Sequence, residues 1–250
     1  MPLFESEGLV LRSYSLSEAD RIVVFFTREH GIIRGVAKGA KRMKSKFGST
    51  LELFSTVNIS YFQKEDQELV SVQQVELARS RFEAAADPEY LHTFSYLSDL
   101  LIALVPPHDP SQTIYRMAVA CLDTALNKRG QAAACRLYFE IWLLRLGGYL
   151  PDWSVCSDCG SALLPQNAAY LRSDLHLICE NCRRGHAMPV IERLEREIFD
   201  AVQRVAPQAF VDSYQSSPTA IDDLSNAMRR HVTRIVGRDL LNERTLAVHP

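Results

Sequence analysis

Four cysteines carry the strongest chemical pattern in this chain. Cys156 and Cys159 form one CxxC pair and Cys179 and Cys182 a second, with 19 residues between the pairs. A tight turn at each pair would aim two thiolates at one point, and two such turns complete a tetrahedral shell that suits zinc. Four thiolates leave no open coordination position, so the expected role is one structural ion per chain rather than a catalytic one. Gly160 follows the first pair and Gly185 lies just beyond the second, as ribbon turns require. Disulfide pairing does not explain two identical spacings. His176 and His186 lie near the set as bystanders, and Cys121 and Cys135, alone in apolar helical patterns, are expected to be small buried hydrophobes.

A second pattern is electrostatic. The stretch from Arg34 to Gly48, RGVAKGAKRMKSKFG, holds Arg34, Lys38, Lys41, Arg42, Lys44 and Lys46 and no acid. The acid-free window runs from His30 to Leu51, although the whole chain has 28 Lys and Arg against 30 Asp and Glu. Small residues and glycines between the cations would let the backbone approach a phosphate closely. Phe47, Tyr61 and Phe62 are candidate exposed aromatics for base stacking. Cations tracking a phosphate chain beside stacking platforms are what sequence-tolerant single-strand binding needs. The competing reading is a solvated loop whose lysines only aid solubility.

Other chemistry finds no support. Gly35 and Gly39 fail the spacing of a Walker phosphate loop, and neither GxSxG nor GxGxxG occurs. A zinc deaminase needs HxE and PCxxC; no His here is followed two residues later by Glu, and no Pro precedes either cysteine pair. The expectation is a protein that performs no covalent chemistry, not an enzyme. At 250 residues and 47% apolar content the chain can build real cores. No apolar run is long enough to span a bilayer, and MPLFESEG lacks the parts of an export signal. A cytoplasmic protein is expected.

The elements that must position these residues divide at about residue 80. Before it, Leu3–Ser13, Arg21–Arg28, Ile32–Lys38, Leu51–Phe62 and Leu69–Leu77 read as five strands, an α+β arrangement that begins with a small OB-fold barrel. The basic strip then connects strands three and four. After it the pattern is helical. Asp87-Pro88 starts a helix that stops before Pro106-Pro107, Asp109-Pro110 starts another that ends near Gly130, and a third covers Ala132–Leu146 before Gly147-Gly148. Val190–Val205 and Ser217–Asn242 complete the helices, the last with Arg229, Arg230, Arg234 and Arg238 on roughly one face. The expected domains are 1–80 for the barrel, 81–150 and 186–250 for an α-helical domain, and 151–185 for a zinc-binding insert.

Three strings also carry a family resemblance. The segment from Glu7 to Phe54, with VAKGAKRMKSKFG inside it, resembles the N-terminus of the RecO family of bacterial recombination mediators. FEIWLLRLGGYLPDWSVCSDCG resembles that family's helix running into a first zinc knuckle, and LICENC its closing pair. The resemblance implies an OB-fold, a helical domain and an embedded zinc ribbon. It implies binding to single-stranded and double-stranded DNA, annealing of complementary strands, and partnership with RecR and the acidic C-terminal tail of single-strand-binding protein to load recombinase on gaps, at the nucleoid. Tyr138, Trp142 and Arg145, with Arg229, Arg230 and Arg234, are the residues that could meet such a tail. A zinc-ribbon scaffold that binds protein or RNA, with DNA contact incidental, is the alternative from a different class, with a hidden hydrolase or nuclease a distant third.

Overall fold

The computed structural model describes residues 2–64, 67–82 and 86–240. Strands β1 (Leu3–Ser15), β2 (Arg21–Thr27), β3 (Gly31–Ala37), β4 (Thr56–Phe62) and β5 (Leu69–Arg79) close a barrel in the order β1-β2-β3-β5-β4. The long β1 makes closure possible. Its first half pairs with β4 from Leu3 to Leu9 and its second with β2 from Gly8 to Ser15, with a register shift between Val10 and Arg12. Such a bulge bends a strand far enough to serve two neighbours. The last seam is a short parallel pairing of β3 with β5, Arg34 to Val36 against Leu69 to Ser71. β-Branched and aromatic side chains from alternate positions, among them Val23, Phe25, Val57 and Ile59, fill the interior. This is the five-stranded OB-type barrel expected.

Two expectations change in the barrel. The fourth strand starts at Thr56, not Leu51. Leu51 and Phe54 are both buried, so this stretch turns inward at a spacing of three instead of alternating. Phe54 sits at φ 64, costly for a side chain with a Cβ. Its N–H bonds Val10 O at 2.8 Å and its ring packs 6.1 Å from both Tyr90 and Phe94, which offsets that cost. Phe47 and Tyr61 are not exposed platforms either: each is 1% exposed, inside the barrel. Tyr61 follows Val57 and Ile59 on the inward face of β4, stacks on Phe4, and has its pKa pushed up to about 12 by burial.

The chain gathers into two compact units that divide between Asn127 and Lys128. Helices α1 (Pro88–Leu104) and α2 (Gln112–Asn127) belong to the barrel's unit. Asp87 caps α1 through its carboxylate, which accepts from the N–H groups of Glu89 and Tyr90 ahead of the proline at the first turn. Helix α2 begins at Gln112 instead of Asp109-Pro110, because Ser111 takes the capping position and accepts from Ile114 N–H at 3.4 Å. The fully buried Arg81 ties this layer to the barrel. Its guanidinium donates to Asp123 Oδ1 at 2.9 and 2.7 Å, to Phe54 O at 2.8 Å and to Thr56 Oγ1 at 2.9 Å.

The second unit holds α3 (Ala132–Leu146), the hairpin β6 (Ala169–Leu171) and β7 (Leu177–Cys179), the single turn α4 (Glu180–Arg183), then α5 (Arg193–Val202), α6 (Pro207–Tyr214) and α7 (Pro218–Val236). Helix α3 keeps its expected bounds. Helix α5 is shorter at both ends than Val190–Val205, and α6 has no counterpart in the sequence reading. Helix α7 stops at Val236 because Gly237 takes the left-handed cap at φ 77, its N–H returning to Thr233 O. The last two residues of the longer helix expected, 241–242, lie outside the described residues. Cys121 and Cys135 are buried, as expected.

Removing the buried guanidinium leaves Phe54 O and Thr56 Oγ1 without that donor and takes two bonds from Asp123, which keeps only Arg79 on its other oxygen. Arg81→Ala is expected to cost about 3 kcal/mol, the range for breaking a buried charged pair. Urea unfolding followed by far-ultraviolet circular dichroism measures it, and an unchanged midpoint would show that Arg81 does not bind the layers together.

Candidate metal centre and nucleic-acid interface

The cysteine pairs sit at facing turns of the small ribbon in the second unit. In the first, Gly160 N–H bonds Cys156 O at 2.8 Å and Cys156 N–H bonds Ser161 O at 2.8 Å. Closing that turn needs φ 71 at Gly160, which glycine adopts without strain. The second pair lies where β7 runs into α4, so Cys179 ends a strand and Cys182 falls within the following turn. Ser157 N–H reaches Leu177 O at 2.9 Å and brings the two together. Beneath them the Trp153 ring stacks on Phe199 of α5 at 3.8 Å while its indole N–H donates to Leu175 O at 2.8 Å.

All four sulfurs lie within 4.8 Å of one another, and Cys159 Sγ is 3.8 Å from Cys179 Sγ. A tetrahedral shell with metal–sulfur bonds of about 2.3 Å has sulfur–sulfur edges of about 3.8 Å, whereas a disulfide requires about 2.0 Å. The donor set therefore fits one zinc ion. Local hydrogen bonds favour the anionic form at two of the sulfurs. Burial pushes the Cys156 thiol up, but N–H groups of Cys179, Cys159 and Asp158 outweigh it and bring its pKa down. Cys159 falls to about 6, first through the Ser161 hydroxyl 3.3 Å away and then through the Ser161 N–H. Cys182 rises to about 12, because its proton is shared toward Cys159 and then Cys179. Only Cys156 is buried; Cys159 is exposed and the other two half-buried. Neither His176 nor His186 belongs to the cluster.

The six cations lie on and after β3, in the first unit. Arg34 points outward from the strand and pairs loosely with Glu68 at 3.5 Å, with both side chains largely exposed. Lys38 opens the connection to β4. Lys41 is partly spent on structure, since its Nζ donates to Ser17 O at 2.9 Å and its N–H to Ala19 O at 2.9 Å. Lys46 Nζ donates to Gln73 O at 2.6 Å and lies 5.1 Å over the Phe47 ring. Lys38, Arg42 and Lys44 are exposed, and their side chains make no hydrogen bond or ion pair among the described residues. Phe62 is the one expected aromatic that stays half-buried. With Lys38, Lys64, Glu68 and Leu69 it lines a cavity of about 600 Å³.

Tyr138, Trp142 and Arg145 serve a structural purpose. From α3 they donate to Val205 O at 2.9 Å, Val202 O at 2.8 Å and Gln203 O at 3.1 Å, satisfying carbonyls at and just beyond the end of α5. Arg145 also edges a cavity of about 840 Å³ with Leu164, Phe199, Arg196 and Arg204, and with Glu197 and Asp200 among its acids. Arg229, Arg230 and Arg234 do not line it; Arg230 borders a separate cavity of about 580 Å³ beside Leu194 and Val190. Periodicity alone could not have separated those arginines, because the partner of each helix face is set by tertiary packing.

Comparison with known proteins bears on both units. The family model described as Recombination protein O N terminal matches residues 1–81, and that described as Recombination protein O C terminal matches residues 85–244. The DNA repair protein RecO of Koribacter versatilis is 33% identical over 239 residues, covering 95% of this chain and 94% of that protein. The DNA repair protein RecO of Syntrophotalea carbinolica is 28% identical over 235 residues, covering 92% and 90%. That of Rhodopirellula baltica is 28% identical over 221 residues, covering 85% and 80%. With the barrel, the helical layers and the four-cysteine ribbon in place, the chain belongs to the RecO family.

Proposed function

We propose that this protein is a non-enzymatic DNA-binding recombination mediator. In this reading residues 1–80 form the nucleic-acid-binding module, with Arg34, Lys38, Lys41, Arg42, Lys44 and Lys46 as its basic strip and Lys38, Arg42 and Lys44 as the side chains free to contact phosphate. The protein binds single- and double-stranded DNA, anneals complementary strands, and helps load recombinase on gaps coated by single-strand-binding protein, acting with RecR at the nucleoid. The supporting observation is the set of cations without partners on a connection whose roots are buried in the barrel. Annealing is opposed by phosphate repulsion between strands and by protein already coating each one. A basic surface screens the first barrier, and contact with the coating protein addresses the second. The acidic, apolar-ended tail of that protein calls for guanidinium groups beside an apolar hollow, and the cavity bordered by Arg145, Arg196, Phe199 and Leu164 supports such a site on the second unit.

Cys156, Cys159, Cys179 and Cys182 would hold one zinc ion, which supplies cross-linking of two turns and no reaction step. Cys156→Ser removes the buried thiolate and is expected to abolish stoichiometric metal and lower stability by several kcal/mol, because binding and local folding are coupled. Metal analysis of tag-free protein together with thermal melting decides the matter; parent protein without zinc, or a variant that melts like the parent, refutes it.

The phosphate contacts are tested by Lys38→Ala, Arg42→Ala and Lys44→Ala together, which leaves the structural bonds of Lys41 and Lys46 intact. For single strands each contact contributes about −0.7 to the slope of log K against log salt, so the slope should flatten by about 2. An unchanged slope with unchanged circular dichroism means the strip only solubilises the protein. The function as a whole is tested by annealing of complementary strands, bare or precoated with single-strand-binding protein. The expected result is acceleration of both, and a preference for RNA over DNA of equal sequence in a matched titration would favour an RNA-binding scaffold instead.

A further inference from the structure

Between Arg42 and Lys44, two cations without partners among the described residues, stands Met43 at 105% relative exposure, as open as in an extended chain. A wholly exposed thioether on a core-forming chain needs a reason, and its setting supplies one. The segment that presents it is held in consecutive turns. Gly39 N–H bonds Asp20 Oδ1 at 2.8 Å, Arg42 N–H bonds Gly39 O at 3.1 Å, and Ser45 N–H bonds Arg42 O at 3.0 Å. Lys41 is tied to Ser17 and Ala19 on one side, and the Phe47 ring is sealed in the barrel on the other. Met43 is thus fixed at the tip of a braced turn with a cation on each side. Met43 makes no core contact at that exposure, so its size and shape are not fixed by folding.

Resting on the DNA-binding reading above, we infer that Met43 is a wedge: its side chain enters between two bases at an open or weakly stacked step while Arg42 and Lys44 hold the flanking phosphates. Unbranched apolar side chains are among those that proteins insert between base steps, and the base faces they meet are apolar in every sequence. Bracing matters because a side chain on a pre-shaped turn loses little freedom on insertion. The ligand class is DNA with an interrupted stack, such as a mismatch, nick or strand junction, where unstacking is already partly done. An annealing protein meets such steps wherever two strands are pairing out of register, so the wedge would favour binding there over perfect duplex.

The test uses full-length protein and a duplex carrying 2-aminopurine beside a mismatch, with a fully paired duplex as control. Binding of the parent is expected to raise the 2-aminopurine fluorescence of the mismatched duplex. Met43→Ala should bind that duplex about tenfold more weakly, without the rise, while its affinity for the paired control and its salt slope stay unchanged. Met43→Leu should keep both properties. Identical thermal melts are expected for all three, because the side chain touches no core. A Met43→Ala protein that matches the parent in affinity and fluorescence overturns the wedge and leaves the DNA reading standing. Loss on both duplexes alike, with no fluorescence change in the parent, also overturns it, since Met43 then only rests on a groove. A parent that binds neither duplex at low salt overturns the DNA reading itself, and loss confined to anionic phospholipid vesicles assigns the tip to a lipid surface.

Discussion

Burial of the Phe47 ring is the interaction on which the charged connection depends. Six like charges between Arg34 and Lys46 repel one another, and a tether of glycines and small residues would spread them. The ring, 1% exposed among Val10, Val57 and Val72, fixes one end of the tip. The bonds of Gly39 and Lys41 to Asp20, Ser17 and Ala19 fix the other. Asp20 contributes charge as well as shape, because it sets one carboxylate under the root of the strip while leaving the tip purely cationic. Lys46 belongs to the same clamp. Its ammonium spans to Gln73 O on β5 and lies over the ring of the residue that follows it. Charge and anchorage are therefore divided along one short segment: Lys41 and Lys46 at its ends hold geometry, and Arg42 and Lys44 between them face solvent.

The ribbon in the second unit solves a different problem with a similar economy of residues. Two three-residue strands bury too little apolar surface to fix the turns that carry four sulfurs. Support comes from Trp153, whose ring lies flat on Phe199 and whose indole N–H holds Leu175. Tyr170 adds a second brace under the Arg183 guanidinium at 4.4 Å. N–H groups directed at Cys156 and a hydroxyl at Cys159 ease ionisation of those two thiols, while Cys182 holds its proton between its sulfur neighbours.

The strands apart from the start of β4, and the bounds of α1 and α3, were legible because local rules decide them. β-Branched runs, the Asp87-Pro88 cap and the Gly147-Gly148 stop act over a few residues. Failures came where distant residues decide. The run LELFSTV alternates like a strand, yet Leu51 and Phe54 turn inward because the barrel end needs closing and α1 offers Tyr90 and Phe94 to pack against. Phe47 and Tyr61 looked like exposed platforms because proximity to cations in sequence says nothing about which way a ring faces. Helix α6 escaped notice because its eight residues bury only Phe210 and Val211, too few to set a period. The cysteines were legible as ligands from spacing alone, but not the exposure of Cys159, which follows from how the ribbon lies on α5.

On the proposed reading, the small number of unpartnered cations suits an annealer better than a tight DNA clamp. A protein that brings two strands together must release the duplex it makes, and duplex has the denser phosphate charge. Three cations free for phosphate give a single-strand salt slope of about −2, so affinity falls only about twentyfold between 50 and 200 mM salt. A slope of −10 over the same range would make binding all or nothing. The slightly acidic remainder of the chain works in the same direction, because it limits contact to the strip and lets a paired product leave. Reversibility then rests on what the barrel withholds as much as on what it presents: Lys41 and Lys46 are drawn back onto backbone oxygens, Arg34 is shared with Glu68, and the phosphate chain is left to the few side chains that have nothing else to hold.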